Sequence, residues 1–121
     1  MVFLAEVAKS VTFTEKEAEF LTESKLARLA TSSPDGQPHV VPVTYEFDGE
    51  SIYFSGWNLR KSLKFKNILG NRKIALAIDD LVSVKPWRPR GIEIRGTAEI
   101  VESDGSLYVK VVPSHKISWG L

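Results

Sequence analysis

Cysteine is absent from this chain, and that omission removes disulfides, thiolate metal sites and cysteine nucleophiles together. Histidine is almost absent. His39 and His115 stand 76 positions apart, without the HxxxH or HxH spacing that brings two imidazoles to one ion. Asp79-Asp80, closing an apolar run, could ligate a cation, but an acidic pair at a strand end also reads as a turn, so no metal is expected. Neither G-x-S-x-G nor a serine beside a His–acid pair is legible, and no G-x-G-x-x-G or P-loop string occurs. An excess of one charge is lacking too. A net charge of +1 argues against a nucleic-acid partner. No hydrophobic window approaches a membrane span. The VFLAEVA run near the start is too short for the apolar core of a secretion signal and carries Glu6, so a cytoplasmic protein is expected.

What is present is an ordinary globular mixture, 43% hydrophobic and 26% charged over 121 residues, enough for one domain spanning 1–121. Thr14-x-x-Glu17 is a capping box ahead of Ala18, Phe20 and Leu21, predicting a helix of about ten residues that covers one end of a sheet or barrel. Strand patterns follow. Lys25 to Thr31 alternates, Pro34-Asp35-Gly36 turns, and Pro38 to Phe47 resumes as one strand. Asp48-Gly49 then makes a tight hairpin into Ser51 to Phe54. Lys73 to Asp79 reads as a buried strand, Leu81 to Pro89 as a loop, and Gly91 to Val101 as a strand with one wet face. Asp104-Gly105 turns into Ser106 to Val112, before a tail reading HKISWGL. Six to seven mostly antiparallel strands with two short helices favour an all-β barrel over a βαβ sheet.

Charge is unevenly placed: residues 1–24 hold five acids against two bases, whereas residues 60–73 hold six bases and no acid. Ile52 to Asn67 concentrates this asymmetry. Its strand ends at Ser55-Gly56 and gives way to a helical spacing that Asn58 can cap, with Arg60, Lys61 and Lys64 on one face near the helix start. Cations there oppose the helix dipole unless an anion binds, so side chains and N–H groups together describe a phosphate site; a solvated basic helix end is the alternative. A second cluster lies in Lys85 to Gly91, where two prolines hold Trp87, Arg88 and Arg90 in a fixed relation. Trp can stack on a planar ring and Arg can fork onto phosphate, although a surface loop whose Trp covers the core edge would look the same. Trp119 is either a second flat wall or a seal on the barrel. Arg28 and Arg95, inside strands, either face solvent or a polar interior, or pair with Glu93 or Glu99.

The segments LARLATSSPDGQPHVVPVTYEFDGESIYFSG, RKSLKFKNI, NRKIALAIDD, PWRPRGIEIRGTAE and ISWGL, in that order, resemble the pyridoxamine 5′-phosphate oxidase-like split β-barrels. Within that group the chain is most similar to the coenzyme F420-dependent (deazaflavin-dependent) oxidoreductases, over about Glu15 to Leu121. The resemblance implies a homodimer with two cofactor grooves at the subunit interface. It implies phosphate contacts from Arg60 and Lys61 with Ser62 as neighbour, and ring contacts along Pro42, Val43 and Thr44. Ser55 and Gly56 would meet the ribityl or phosphate end, with Trp87, Arg88 and Arg90 bordering the same groove from the other subunit. The chain is shorter than true pyridoxamine phosphate oxidases and lacks their C-terminal Arg and His segment, so that oxidation is not expected. What the resemblance implies is hydride transfer from F420, or alternatively FMN, to a small conjugated organic acceptor; a cofactor-binding protein without turnover is a further alternative. It assigns no acid–base residue.

Overall fold

The computed structural model describes residues 11–121. The VFLAEVA run and most of the lead-in lie outside the described residues. Helix α1 (Glu15–Glu23) is followed by strands β1 (Leu26–Ser32), β2 (Pro38–Thr44), β3 (Glu46–Phe47) and β4 (Ile52–Phe54). A 3₁₀ turn (Leu59–Lys61) leads into helix α2 (Leu63–Gly70), then β5 (Lys73–Ser83), β6 (Arg88–Ser103) and β7 (Ser106–Trp119). The strands form one seven-stranded sheet in the order β2-β1-β5-β6-β7-β4-β3, every described pairing antiparallel.

That order makes the sheet a barrel. Strands β2 and β3 occupy its two opposite edges, yet only Tyr45 lies between them in sequence. Thr44 and Glu46, two residue steps apart, can be separated by no more than about 7 Å, so the sheet must curl until its edges come together. The edges form no ladder with each other, which leaves a split at Tyr45. Inside, alternate residues meet: Leu29, Leu76, Ile78, Ile92, Ile94, Val109 and Val111 are fully buried, with Ile52 and Phe54 from β4. Each such side chain contributes roughly 1.5–3 kcal/mol of transfer free energy. Helix α2 covers one opening through Phe65 and Ile68, and its buried Asn67 Nδ2 donates to Thr31 Oγ1 on β1 at 3.0 Å.

Helix α1 covers another opening as the capping box predicts: Thr14 accepts from the Glu17 N–H at 3.1 Å, while Glu17 accepts from the Thr14 N–H at 2.9 Å. Glu17 does more than cap. Its buried carboxylate also receives the Lys116 ammonium and the Ser118 hydroxyl, the latter at 2.6 Å, both from β7. The Tyr45 hydroxyl donates to the Leu21 carbonyl at 2.7 Å, so the helix is bolted to the split as well. Burial pushes that phenol up to about 12.

Several boundaries differ from the sequence reading. The strand expected from Pro38 to Phe47 breaks at Tyr45, because the chain there crosses from one sheet edge to the other. The expected loop Leu81 to Pro89 is mostly ladder: Leu81 pairs with Pro89 and Ser83 with Arg88, leaving residues 84–87 as the turn. Proline is tolerated at position 89 because the β6–β7 ladder begins only at Gly91, leaving Pro89 with no strand partner on that side. The HKISWGL tail is strand to Trp119, paired with β6 as far as Gly91. A Cβ on Gly91 would lie 2.6 Å from the Trp119 ring, so only glycine lets the indole pack across β6 there.

Burial acts to raise the Glu17 pKa, but the bonds from Lys116, Ser118 and Thr14 outweigh it and hold the carboxyl at about 2. A depressed carboxylate stabilises the fold above its unfolded value and loses that contribution as pH falls toward its folded one. Glu17→Gln should therefore lower unfolding free energy by about 1–3 kcal/mol at neutral pH. In urea titrations, the gap to the parent should close between about pH 4.5 and 2; a gap constant with pH would contradict the account.

Candidate functional site

The split creates a groove on the outer surface. Thr44, Tyr45 and Glu46 form its floor at the edge-to-edge crossing, with Tyr53, Phe54 and Tyr108 beside them, enclosing about 300 Å³. Through Ser55 and Gly56 it continues into a second hollow of about 370 Å³, lined by Asn58, Leu59, Arg60, Lys61, Ser106 and Leu107. The two hollows share Ser55 and Gly56 on their walls, so they adjoin between the end of β2 and the basic turn. Edge strands suit such a place, since their outer N–H and C=O groups have no ladder partner. Along β2, Pro42 and Thr44 face outward while Val43 is buried, so Val43 can offer a ligand backbone only.

At the basic end the local structure is tighter than an α-helix start. Asn58 takes a left-handed conformation, φ 58°, and its side chain caps nothing, which corrects the expected cap. The cap of α2 is Ser62, whose Oγ accepts from the Phe65 N–H at 3.3 Å and donates to the Leu59 carbonyl at 2.6 Å. Leu59, Lys61 and Ser62 spend their N–H groups on the preceding turn. First-turn N–H groups of Leu63 and Lys64 remain without intrahelical acceptors, as at any helix start. Buried Leu59 fixes the turn on the core while Arg60 and Lys61 stay exposed. Arg60 Nη2 lies 3.3 Å from Glu102 Oε1, an exposed pair that costs little to exchange for another anion. Lys61 has no carboxylate partner among the described residues.

The other cluster is elsewhere. Arg88 opens β6 and Glu102, beside Arg60, lies next to its far end. A straight strand of 16 residues would span roughly 50 Å. Within one chain the structure thus brings together Thr44, Ser55, Gly56, Arg60 and Lys61, with Pro42, Val43 and Ser62 adjoining, and leaves Trp87, Arg88 and Arg90 at the opposite end. Arg90 is engaged there: Nε and Nη2 reach the two Asp80 oxygens at 2.7 and 3.0 Å, and its guanidinium lies over the Phe20 ring at 4.9 Å. That bond holds the Asp80 carboxyl below its usual range. Trp87 is exposed at the hairpin tip, and Trp119 seals β6 instead of walling the groove. Arg28 pairs with Asp79, not with Glu93 or Glu99, while Arg95 does pair with Glu93 at 3.2 Å. Among the described residues no group of three or more His, Asp or Glu could hold a metal ion. No helix among them is long and apolar enough to cross a membrane.

Sequence reasoning missed the aromatic part of the groove. Tyr45, Tyr53 and Tyr108, the chain's three tyrosines, all border it, but Tyr45 is buried in the core, so Tyr53 and Tyr108 supply the aromatic surface. They are dispersed in sequence, and only the antiparallel pairing of β4 with both β3 and β7 collects them.

The family model described as pyridoxamine 5′-phosphate oxidase matches residues 13–117. The chain belongs to that family. It is 32% identical over 119 residues to a 5a,11a-dehydrotetracycline/5a,11a-dehydrooxytetracycline reductase of Streptomyces rimosus, covering 90% of this chain and 84% of the reductase. A conserved hypothetical protein of Mycobacterium tuberculosis superposes with TM-score 0.76 at 24% identity, over 93% of this chain and 87% of that one. A protein described as an F420 reductase superposes with TM-score 0.71 at 24% identity, over 87% and 98%. These likenesses establish the split barrel of the pyridoxamine 5′-phosphate oxidase family for this chain.

Ser62→Ala should destabilise the protein by about 1 kcal/mol through loss of the α2 cap. Thermal denaturation reads it directly; an unchanged midpoint would mean that the Ser62 hydroxyl does not support the helix.

Proposed function

We propose that this protein is an oxidoreductase that holds a flavin-type cofactor along the split, coenzyme F420 in preference to FMN, and reduces a conjugated organic acceptor. The observation that carries this is the pair of adjoining hollows that share Ser55-Gly56, one bordered by Thr44 and the other by Arg60 and Lys61. It has a wall for a flat ring at one end and exposed cations for an acidic head group at the other. The reductase activity of the Streptomyces relative supports the reaction class, and the F420 reductase likeness supports the cofactor class.

When bound, such a cofactor supplies a hydride donor, so the protein needs little acid–base machinery of its own. Lys61, exposed and without a carboxylate partner among the described residues, attracts the phosphate; Arg60 releases Glu102 to join it. Each charge-assisted bond contributes about 1.5–3 kcal/mol. Pro42 and Thr44 lie along the ring, and the Val43 side chain, locked in the core, keeps that strand rigid. Lys64 and Arg88 add cations for the anionic tail that distinguishes F420 from FMN; Arg90 is largely neutralised by Asp80.

The reading includes a homodimer, because Trp87, Arg88 and Arg90 can border this groove only if they come from a second copy. A face suited to that pairing exists. Ala30, Ala75 and Ala77 lie on the outer side of the sheet with exposed Val40 and Ile117, between the ion pairs Arg28–Asp79 and Arg95–Glu93. Small side chains allow close approach of a second sheet, and internally paired charges lower the penalty of covering them.

Lys61→Ala should weaken F420 binding at least about tenfold, read by fluorescence titration, with the melting midpoint unchanged. An unaltered dissociation constant would remove Lys61 from the site, and FMN retained through purification would overturn the F420 preference. Ala75→Arg should convert the dimer to monomer in sedimentation velocity; an unshifted dimer would place the interface elsewhere.

A further inference from the structure

The groove has one feature that neither the phosphate anchor nor the ring floor uses. Trp57 is 93% exposed, more than any other large apolar side chain among the described residues. It sits in the middle of the segment that lines the groove: Ser55 and Gly56 precede it, Asn58, Leu59, Arg60 and Lys61 follow, and all six line the basic hollow while the indole stands outside. Large aromatics are seldom left so bare without an occupant, because an indole buries more apolar surface than any other side chain.

Its backbone gives it room to move. A Cβ at Gly56 would meet nothing within 4 Å, and Asn58 holds a left-handed turn without a side-chain anchor. Packing begins again only at buried Leu59. Ser55 is pinned to β7 by its hydroxyl, which donates to the Leu107 carbonyl at 3.0 Å, so residues 56–58 form a short exposed span between that point and buried Leu59. In the adjoining hollow, Tyr53 and Tyr108 stand on the outward face of β4 and β7, alternating with buried Ile52, Phe54 and Val109.

We propose that Trp57 is a specificity-determining residue: its indole folds over the tyrosine-lined part of the groove and stacks on the acceptor, selecting planar fused-ring compounds over small aliphatic ones. This rests on the proposed cofactor groove but concerns the other occupant. Aromatic stacking prefers offset or edge-on contact at centroid separations of about 4.5–7 Å, which a flat polycycle between Trp57 and Tyr53 or Tyr108 would satisfy.

The test uses full-length protein saturated with F420 and an identified probe, the planar tricyclic anthraquinone-2-sulfonate, with cyclohex-2-enone as the small comparator. Titration calorimetry against oxidised F420-loaded protein reads probe binding without turnover, and F420 fluorescence reads cofactor binding separately. Trp57→Ala should weaken the probe about tenfold, Trp57→Phe should restore most of that loss, and the F420 dissociation constant and the KM for cyclohex-2-enone should stay within about twofold. Equal probe affinity in the parent and Trp57→Ala would overturn the proposal, as would a parallel loss of F420 affinity. If the parent binds neither F420 nor FMN, the cofactor reading falls by itself. Titrating the probe into that unloaded protein and into Trp57→Ala then decides the stacking role on its own, through the same tenfold difference.

Discussion

A single residue, Tyr45, joins the two outermost strands of a seven-stranded sheet, and the rest of the architecture answers to that short connection. A flat sheet of this order would place β2 and β3 at opposite margins, several strand widths of about 4.8 Å apart. Chain continuity forbids it, so the sheet curls. Because the two edges cross at a point instead of running alongside each other, the barrel stays split. Tyr45 is then anchored from inside by its bond to the Leu21 carbonyl, and α1 in turn is held by Glu17 against β7.

The split explains why the candidate site is where it is. Unpaired edge backbone, outward side chains of β4 and β7, and the turn that leaves β4 converge there for topological reasons. The basic 3₁₀ turn is placed by Leu59 and Phe65, which are buried, and by the Ser62 cap. Cations can therefore be presented to solvent without loosening the core. Site and scaffold use alternate residues of the same short segment, which lets the surface be specialised while the interior stays apolar.

The second cluster, Trp87 to Arg90, follows a different logic. It lies on a hairpin extending past β1, where Leu81, Val82, Val84 and Trp87 are exposed. Apolar groups on a projecting arm, together with a small-residue outer face between paired charges, are what a monomer would not need. The proposed dimer gives both a purpose.

Local patterns in the sequence determined the α1 capping box, the antiparallel strand succession and the basic stretch after β4, because each depends on residues within a few positions of one another. Family membership was legible for the same reason, through ordered short motifs. What only the tertiary structure decided is which distant residues meet. The break at Tyr45, the gathering of three tyrosines, the tying of Arg90 to Asp80 and the capture of Glu17 by Lys116 and Ser118 all follow from strand order and register. Register is a cooperative property of the whole sheet: each strand's facing residues are fixed by partners far away in the chain, so no local window contains them.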